Sequence, residues 1–308
     1  MGVGSALALR RGGWKLNVGF IGLGRMGSGM ARRVMSGGHT LGVFDVNAAQ
    51  VQAIAAEGAR AMASVAELGR AAEVVVTMLV EDAAVLDVAL RADGLVASMP
   101  AGAIHLAMGT YGVGTIRRLE EAHTAAGQVL VAAPVLGRPD LAASGQLGVV
   151  VAGRDDAVER CEPLLQVIGR RIFRAGAKPE SATAIKLANN AVLGCAMVAM
   201  AEGFALVRKY DVQLQVFQDV MVEGLFAATA YKVYGQKMVD ESYDQVGSPI
   251  TVGLKDAKLI AEAAGLAHVP MPSHDIYLQR LLGAVAHGDK DRDQAVLARE
   301  QARASGLE

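Results

Sequence analysis

From Leu16 onward the chain alternates short, almost unbroken apolar runs with longer helix-like stretches. The runs LNVGFIG (16–22), TLGVFDV (40–46), VVVTMLV (74–80), AIHLAM (103–108), QVLVAAPV (128–135) and LGVVVAG (147–153) predict β-strands, with a further one at RRIFRAG (170–176). Successive rather than alternate apolar residues suit strands covered on both faces, as in a parallel sheet. Between them GSGMARRVMSGG, AAQVQAIAAEG, DAAVLDVAL and TIRRLEEAHTAAG predict helices. Strands separated by helices imply βαβ units.

The pattern changes after Gly176. SATAIKLANNAVLGCAMVAMAEGFALVRKY predicts one helix of about 30 residues, roughly 45 Å long, apolar nearly all round in its middle and therefore expected to be buried between partners. Further helices are expected around 213–225, 229–241, 253–264, 271–287 and 290–304. The fold class that follows is α/β: a mainly parallel sheet domain over 16–176, then an all-α domain over 177–308 that opens with the long helix. Residues 1–15 read as a disordered extension or an upstream start.

Composition narrows the function. The chain is 52% hydrophobic and 4% aromatic, with 30 basic and 31 acidic residues. A net charge of -1 without long blocks of either sign leaves no electrostatic footprint for nucleic acid or a membrane surface. Small-molecule chemistry is the expectation. Cys161 and Cys195 have neither CxxC nor metal-type spacing, and read as free thiols in a reducing compartment; no metal site is expected. SALAL is too short for a signal-peptide core, and the run Ala191–Ala201 is shorter than the roughly 20 residues that cross a bilayer. A cytoplasmic location is expected.

Gly22, Gly24 and Gly27 form G-x-G-x-x-G directly after a strand and at the opening of a helix. The first glycine permits the turn, the second lets backbone approach a pyrophosphate, and the third allows close helix–strand packing. Phosphate oxygens then meet the N–H groups and positive dipole end of the helix. Asp45 closes the next strand, 18 residues beyond Gly27, where a dinucleotide fold places its ribose-binding acid. A carboxylate there accepts from the ribose 2′-OH and repels a 2′-phosphate. No arginine follows in Asp45-Val46-Asn47, so NAD is preferred and NADP is a second possibility.

These residues, with four later segments, resemble the β-hydroxyacid dehydrogenases, the family of 3-hydroxyisobutyrate dehydrogenase within the 6-phosphogluconate dehydrogenase superfamily. VGFIGLGRMGSGMARR has the family's G-x-G-x-M-G form. VVTMLVEDAAV (75–85) is similar to its loop under the nicotinamide ribose, and AAPVLGRPDLAASGQLGVVVAG (132–153) to its substrate segment. IKLANN (185–190) resembles its catalytic motif and GLKDAKLI (253–260) its late Lys-Asp element. The resemblance implies a Rossmann-type domain, a long interdomain helix and a helical domain that forms a homodimer. It implies hydride exchange between a nicotinamide and a small 3-hydroxyacid or related carbonyl compound. By position it makes Lys186 the catalytic lysine with Asn190 as companion. Leu23, Arg25, Met26, Met78, Leu79, Val80 and Lys255 join Gly22, Gly24, Gly27 and Asp45 as cofactor-binding residues. Gly109, Thr110, Leu136, Gly137, Arg138 and Asn190 fall on the substrate side.

The chemistry asks the same of Lys186. A carbonyl that receives hydride needs a proton donor, and an ammonium serves; the reverse direction needs the free amine, hence a pKa below the ordinary value of about 10.4. Lys186 sits on an otherwise apolar helix, with Asn190 one turn later on the same face. The substrate side departs from the family pattern. Pro134-Val135-Leu136-Gly137-Arg138 stands where Pro-Val-Ser-Gly-Gly is usual, Gly109-Thr110 replaces Ser-Thr, and Pro179-Glu180-Ser181-Ala182 replaces a glycine-rich lead-in. Arg138 either forks a substrate carboxylate or sits in a surface turn before Pro139. Tyr231 and Tyr234 either line the cleft or pack, and His105 reads as structural without an obvious partner. Two other functions stay open: an imine reductase, which shares the architecture but generally lacks the lysine, and a dinucleotide-binding homologue without turnover.

Overall fold

A computed structural model describes residues 15–307; the expected N-terminal extension lies, apart from Lys15, outside the described residues. The strands are β1 Asn17–Ile21, β2 Thr40–Phe44, β3 Arg60–Ala61, β4 Val74–Thr77, β5 Ile104–Ala107, β6 Val129–Ala132, β7 Val135–Leu136, β8 Leu147–Val151 and β9 Gly169–Arg174. The helices of the first half are α1 Gly27–Ser36, α2 Ala48–Ala56, α3 Val65–Ala71, α4 Asp82–Leu90, α5 Leu95–Ser98, α6 Val113–Ala125, α7 Pro139–Ser144 and α8 Asp155–Ile168. Those of the second half are α9 Pro179–Arg208, α10 Leu214–Glu223, α11 Thr229–Val239, α12 Ile250–Leu266, α13 Pro272–Ala286 and α14 Leu297–Ala304.

The chain divides into two compact units, residues 15–109 with 118–179, and residues 110–117 with 180–307. In the first, six strands run in the order β3-β2-β1-β4-β5-β6, every neighbouring pair parallel. This is a Rossmann-type sheet, and its order reverses between β1 and β4. Alternate residues of each strand enter opposite layers, as the two-residue period of a strand requires. Val18, Phe20, Val74, Val76, Ile104 and Leu106 pack with α1, α2, α7 and α8. Ile21 and Val75 pack with α3 and α5. Burial on both faces is why these strands read as unbroken apolar runs. A second sheet, β7-β8-β9, is mixed and joins the first through an antiparallel bridge between Ala132 and Ala152.

The second unit is helical. Met197, Met200 and Phe204 of α9 share a core with Tyr234 and Met238 of α11, Ile250 and Ala257 of α12, and Tyr277 and Leu281 of α13. Gly194 admits the Tyr277 ring against the α9 backbone, in space a Cβ would occupy. Residues 110–117, which the sequence places in the sheet domain, belong to this unit. The Lys255 ammonium donates to the Thr110 carbonyl over 2.7 Å, Val113 packs on Leu187, Ala191 and Ile260, and Arg117 forks the Glu180 carboxylate.

Candidate active site

The glycine loop shows three separate reasons for its three glycines. Gly22 adopts φ +96°, a left-handed conformation that side chains disfavour, and a Cβ there would strike the Met78 carbonyl. A Cβ on Gly27 would collide with the Gly22 carbonyl, so α1 leaves the strand without room for a side chain. Gly24 differs: a Cβ there would meet no protein atom within 4 Å. The fold does not need that glycine, whereas a pyrophosphate lying over the loop does. No side chain caps the start of α1, which leaves anion binding to its first turn. The cradle fits a dinucleotide.

Strand β2 ends at Phe44, so Asp45 is the first residue beyond it. Its Oδ2 accepts from the Leu23 N–H at 2.6 Å and its Oδ1 from the Asn47 N–H at 2.8 Å. Asn47, not Asp45, caps α2. The carboxylate thus stands beside the glycine loop, and Val46 is exposed. Strand β4 stops at Thr77, which leaves Met78, Leu79 and Val80 as a loop at the carboxyl end of the sheet, next to β1. Open parallel sheets bind ligands at such a reversal of strand order.

A second cluster forms inside the helical unit. Leu187 and Ala191 of α9 pack on Ile260 of α12, and this contact brings Lys186 and Asn190 beside Lys255 and Asp256. Asn190 Nδ2 donates to Asp256 Oδ2 at 2.8 Å. Lys255 Nζ lies 2.9 Å from Asp256 Oδ1 and also holds the Thr110 carbonyl. Burial lowers the pKa of Lys186; the charge of Asp256 opposes that shift and the charge of Lys255 adds to it. Asn190 commits its amide nitrogen to Asp256, leaving its carbonyl oxygen to meet a donor. The cluster sets a lysine whose pKa burial lowers beside an amide fixed by Asp256, a pairing chemically able to hand a proton to an oxygen and take it back.

Gly109 is buried just beyond β5 and Thr110 is partly buried. Leu136 pairs with Gly148 in the second sheet, and Gly137, at φ +143°, fits its turn against Leu147 and Leu141. Arg138 occupies the cap position of α7 with its guanidinium 3.6 Å from Asp140, so its carboxylate partner here is a neighbour in its own turn. Tyr234 packs in the helical core and Tyr231 lies against Phe226. His105 is not partnerless: it bonds to Thr77 and His123. The Asn190–Asp256 link carries no sequence signal, because packing of α9 on α12 creates it. Cys161 and Cys195 are free thiols, and burial pushes Cys161 up to about 12. Among the described residues no group of three or more His, Cys, Asp or Glu is arranged to hold a metal ion.

Residues 17–176 match the model of the NAD binding domain of 6-phosphogluconate dehydrogenase, and residues 181–300 that of the NAD-binding domain of NADP-dependent 3-hydroxyisobutyrate dehydrogenase. The chain belongs to the β-hydroxyacid dehydrogenase family. It is 32% identical to an uncharacterised oxidoreductase, YfjR, of Bacillus subtilis, over 92% of this chain and 98% of that one. It is also 32% identical to the NAD-dependent L-serine dehydrogenase of Pseudomonas aeruginosa, over 89% of this chain and 94% of that one. Among solved structures it resembles 3-hydroxyisobutyrate dehydrogenase from Salmonella typhimurium, at 26% identity and a TM-score of 0.82, covering 92% of this chain and 99% of that one. As a β-hydroxyacid dehydrogenase it is an NAD(P)-dependent oxidoreductase acting on a CH–OH group.

Proposed function

We propose that this enzyme interconverts a small 3-hydroxyacid, or a related alcohol, with its carbonyl compound, preferring NAD and using Lys186 as general acid and base. The observation that carries the reading is Lys186 itself: a lysine with lowered pKa on α9, grouped with Asn190, Lys255 and Asp256. The relative named for L-serine, a 3-hydroxyacid, and for NAD supports it. When bound, the nicotinamide supplies or accepts the hydride. Backbone N–H groups of Gly24, Arg25, Met26 and Gly27 would hold the pyrophosphate, while Gly22 and Leu23 shape the loop, their own N–H groups donating to the Phe44 carbonyl and the Asp45 carboxylate. Asp45 would accept from the ribose, Met78, Leu79 and Val80 would flank the nicotinamide side, and Lys255 is assigned to the cofactor by its place in the Lys-Asp element. In oxidation the Lys186 amine takes the hydroxyl proton; in reduction its ammonium returns it to the oxygen. Asn190 orients that oxygen and is itself held by Asp256. Gly109, Thr110, Leu136, Gly137 and Arg138 supply the substrate side. The working unit is a homodimer.

The test is turnover of small aldehyde acids and cyclic imines with NADH and NADPH, by the wild type and Lys186→Ala. The variant should lose about 10²- to 10⁴-fold in kcat for carbonyl reduction while still binding NADH. Alcohol oxidation by the wild type should rise with pH through a pKa below the ordinary lysine value, because the free amine is the base. A variant within about a factor of two of the wild type, against the loss such a group normally supplies, would remove Lys186 from this role. Comparable or better kcat/KM with NADPH would overturn the reading of Asp45. Turnover of imines alone would point to an imine reductase, and tight NADH binding without turnover to a non-catalytic homologue.

A further inference from the structure

The apolar layer beneath α3 and α5 is interrupted by a row of four polar side chains that the chemistry above does not use. Thr77 Oγ1 lies 2.9 Å from His105 Nε2, His105 Nδ1 lies 2.8 Å from His123 Nε2, and His123 Nδ1 lies 2.7 Å from Gln128 Oε1. Gln128 Nε2 donates to the Val96 and Met99 carbonyls at 3.0 and 2.7 Å. Thr77 and both imidazoles are closed to solvent.

The protons in this row can be assigned. Two carbonyl acceptors fix the Gln128 amide, so its oxygen faces His123 and can only accept. His123 therefore carries its proton on Nδ1 and offers Nε2 as acceptor. His105 then donates from Nδ1 and accepts at Nε2, and the Thr77 hydroxyl must donate inward. Both rings are neutral in this arrangement. Burial lowers the pKa of each; the charge of His123 adds to the shift of His105, and the Gln128 bond opposes that of His123. An amide cannot pass a proton on, so the row is a chain of fixed direction and not a conduit.

Its open end lies at the cofactor site. Thr77 is the last residue of β4, its carbonyl accepts from Met108 N–H, and the next residue, Met78, donates to the Ile21 carbonyl. The Met78 carbonyl in turn rests where a Cβ on Gly22 would lie. Thr77 is thus joined by one peptide bond to the loop that touches the glycine cradle, while the other end of the row is anchored at α5.

We propose that Thr77, His105, His123 and Gln128 are positioning residues for dinucleotide binding: a hydrogen-bond chain of fixed polarity that locks the carboxyl end of β4, and with it Met78–Val80, against the glycine loop. The proposal rests on the dinucleotide site assigned above, and NADH binding by the wild type tests that site separately.

Thr77→Val removes the inward hydroxyl at nearly constant shape. It should weaken NADH binding, measured by calorimetry, by about two- to tenfold, the net worth of one hydrogen bond. Thr77→Ser should return it to within about twofold by restoring the donor. The loss should fall on the KM for NADH more than on kcat, because Thr77 is closed to solvent and acts only through the loop that follows it. In the unmodified protein, ¹⁵N spectra of the imidazoles should show both rings protonated at Nδ1 and bare at Nε2, the reverse of the usual neutral tautomer. NADH affinity unchanged in Thr77→Val, or either ring protonated at Nε2 near neutral pH, would overturn the proposal, and the ring spectra decide even if the variant does not fold.

Discussion

Among single residues, the glycine loop separates what the fold requires from what the ligand requires. Gly27→Ala places a methyl group on the Gly22 carbonyl and should destabilise the protein by about 1–3 kcal/mol, as overpacking does, which a urea titration would register. Gly24→Ala meets open space and should leave the unfolding midpoint unchanged, yet weaken NADH binding by about tenfold or more by crowding the pyrophosphate. An unaltered NADH affinity in Gly24→Ala would place the phosphate elsewhere. Both roles were legible as a pattern, since three glycines at that spacing followed an apolar strand. That Lys186 and Asn190 share a face was legible too, because they stand four residues apart on a helix. Asp256 as the holder of Asn190 was not, since a contact across 66 residues exists only once α9 and α12 have packed.

At the scale of elements, the strands buried on two faces announced themselves as apolar runs, and α9 as a single long helix. Elements without that signature were silent. Strand β3 is two exposed residues and α5 only four, while α8 carries Pro163 within it, a residue that sequence patterns treat as a break. Helix α9 also differs from its expectation of burial all round. Ile185, Val192 and Leu206 are 46%, 73% and 62% exposed, with Ala188 and Ala199 between them on the same stripe. An apolar stripe of this length marks an interaction surface, and in the proposed homodimer a second copy of the chain covers it. Light scattering at micromolar concentration should give the mass of a dimer, and Val192→Glu should shift it toward the monomer. A monomeric wild type would refute this assignment of the stripe.

For the whole molecule, the neutral imidazoles bear on acid stability. Unfolded histidine titrates near about 6.5; His105, His123 and the buried His39 lie below that value in the folded protein, each mainly through burial. The unfolded chain therefore binds more protons just below that pH. The contribution to stability is complete above about 6.5 and is lost as pH falls below it, by about 1.4 kcal/mol per pH unit for each group still neutral in the fold. Urea midpoints should fall between pH 7 and pH 5.5, and less steeply when His105 and His123 are replaced by apolar residues; a midpoint flat over that range would contradict the assigned protonation. Asp45 sets a different limit on the enzyme. The carboxylate that would meet the ribose also tethers the Leu23 N–H, so selectivity and loop geometry share one side chain. Redesign toward a phosphorylated ribose must therefore keep an acceptor for Leu23: a variant that removes the side-chain oxygen along with the charge, such as Asp45→Ala, trades discrimination for a slack cradle, and would bind both cofactors poorly.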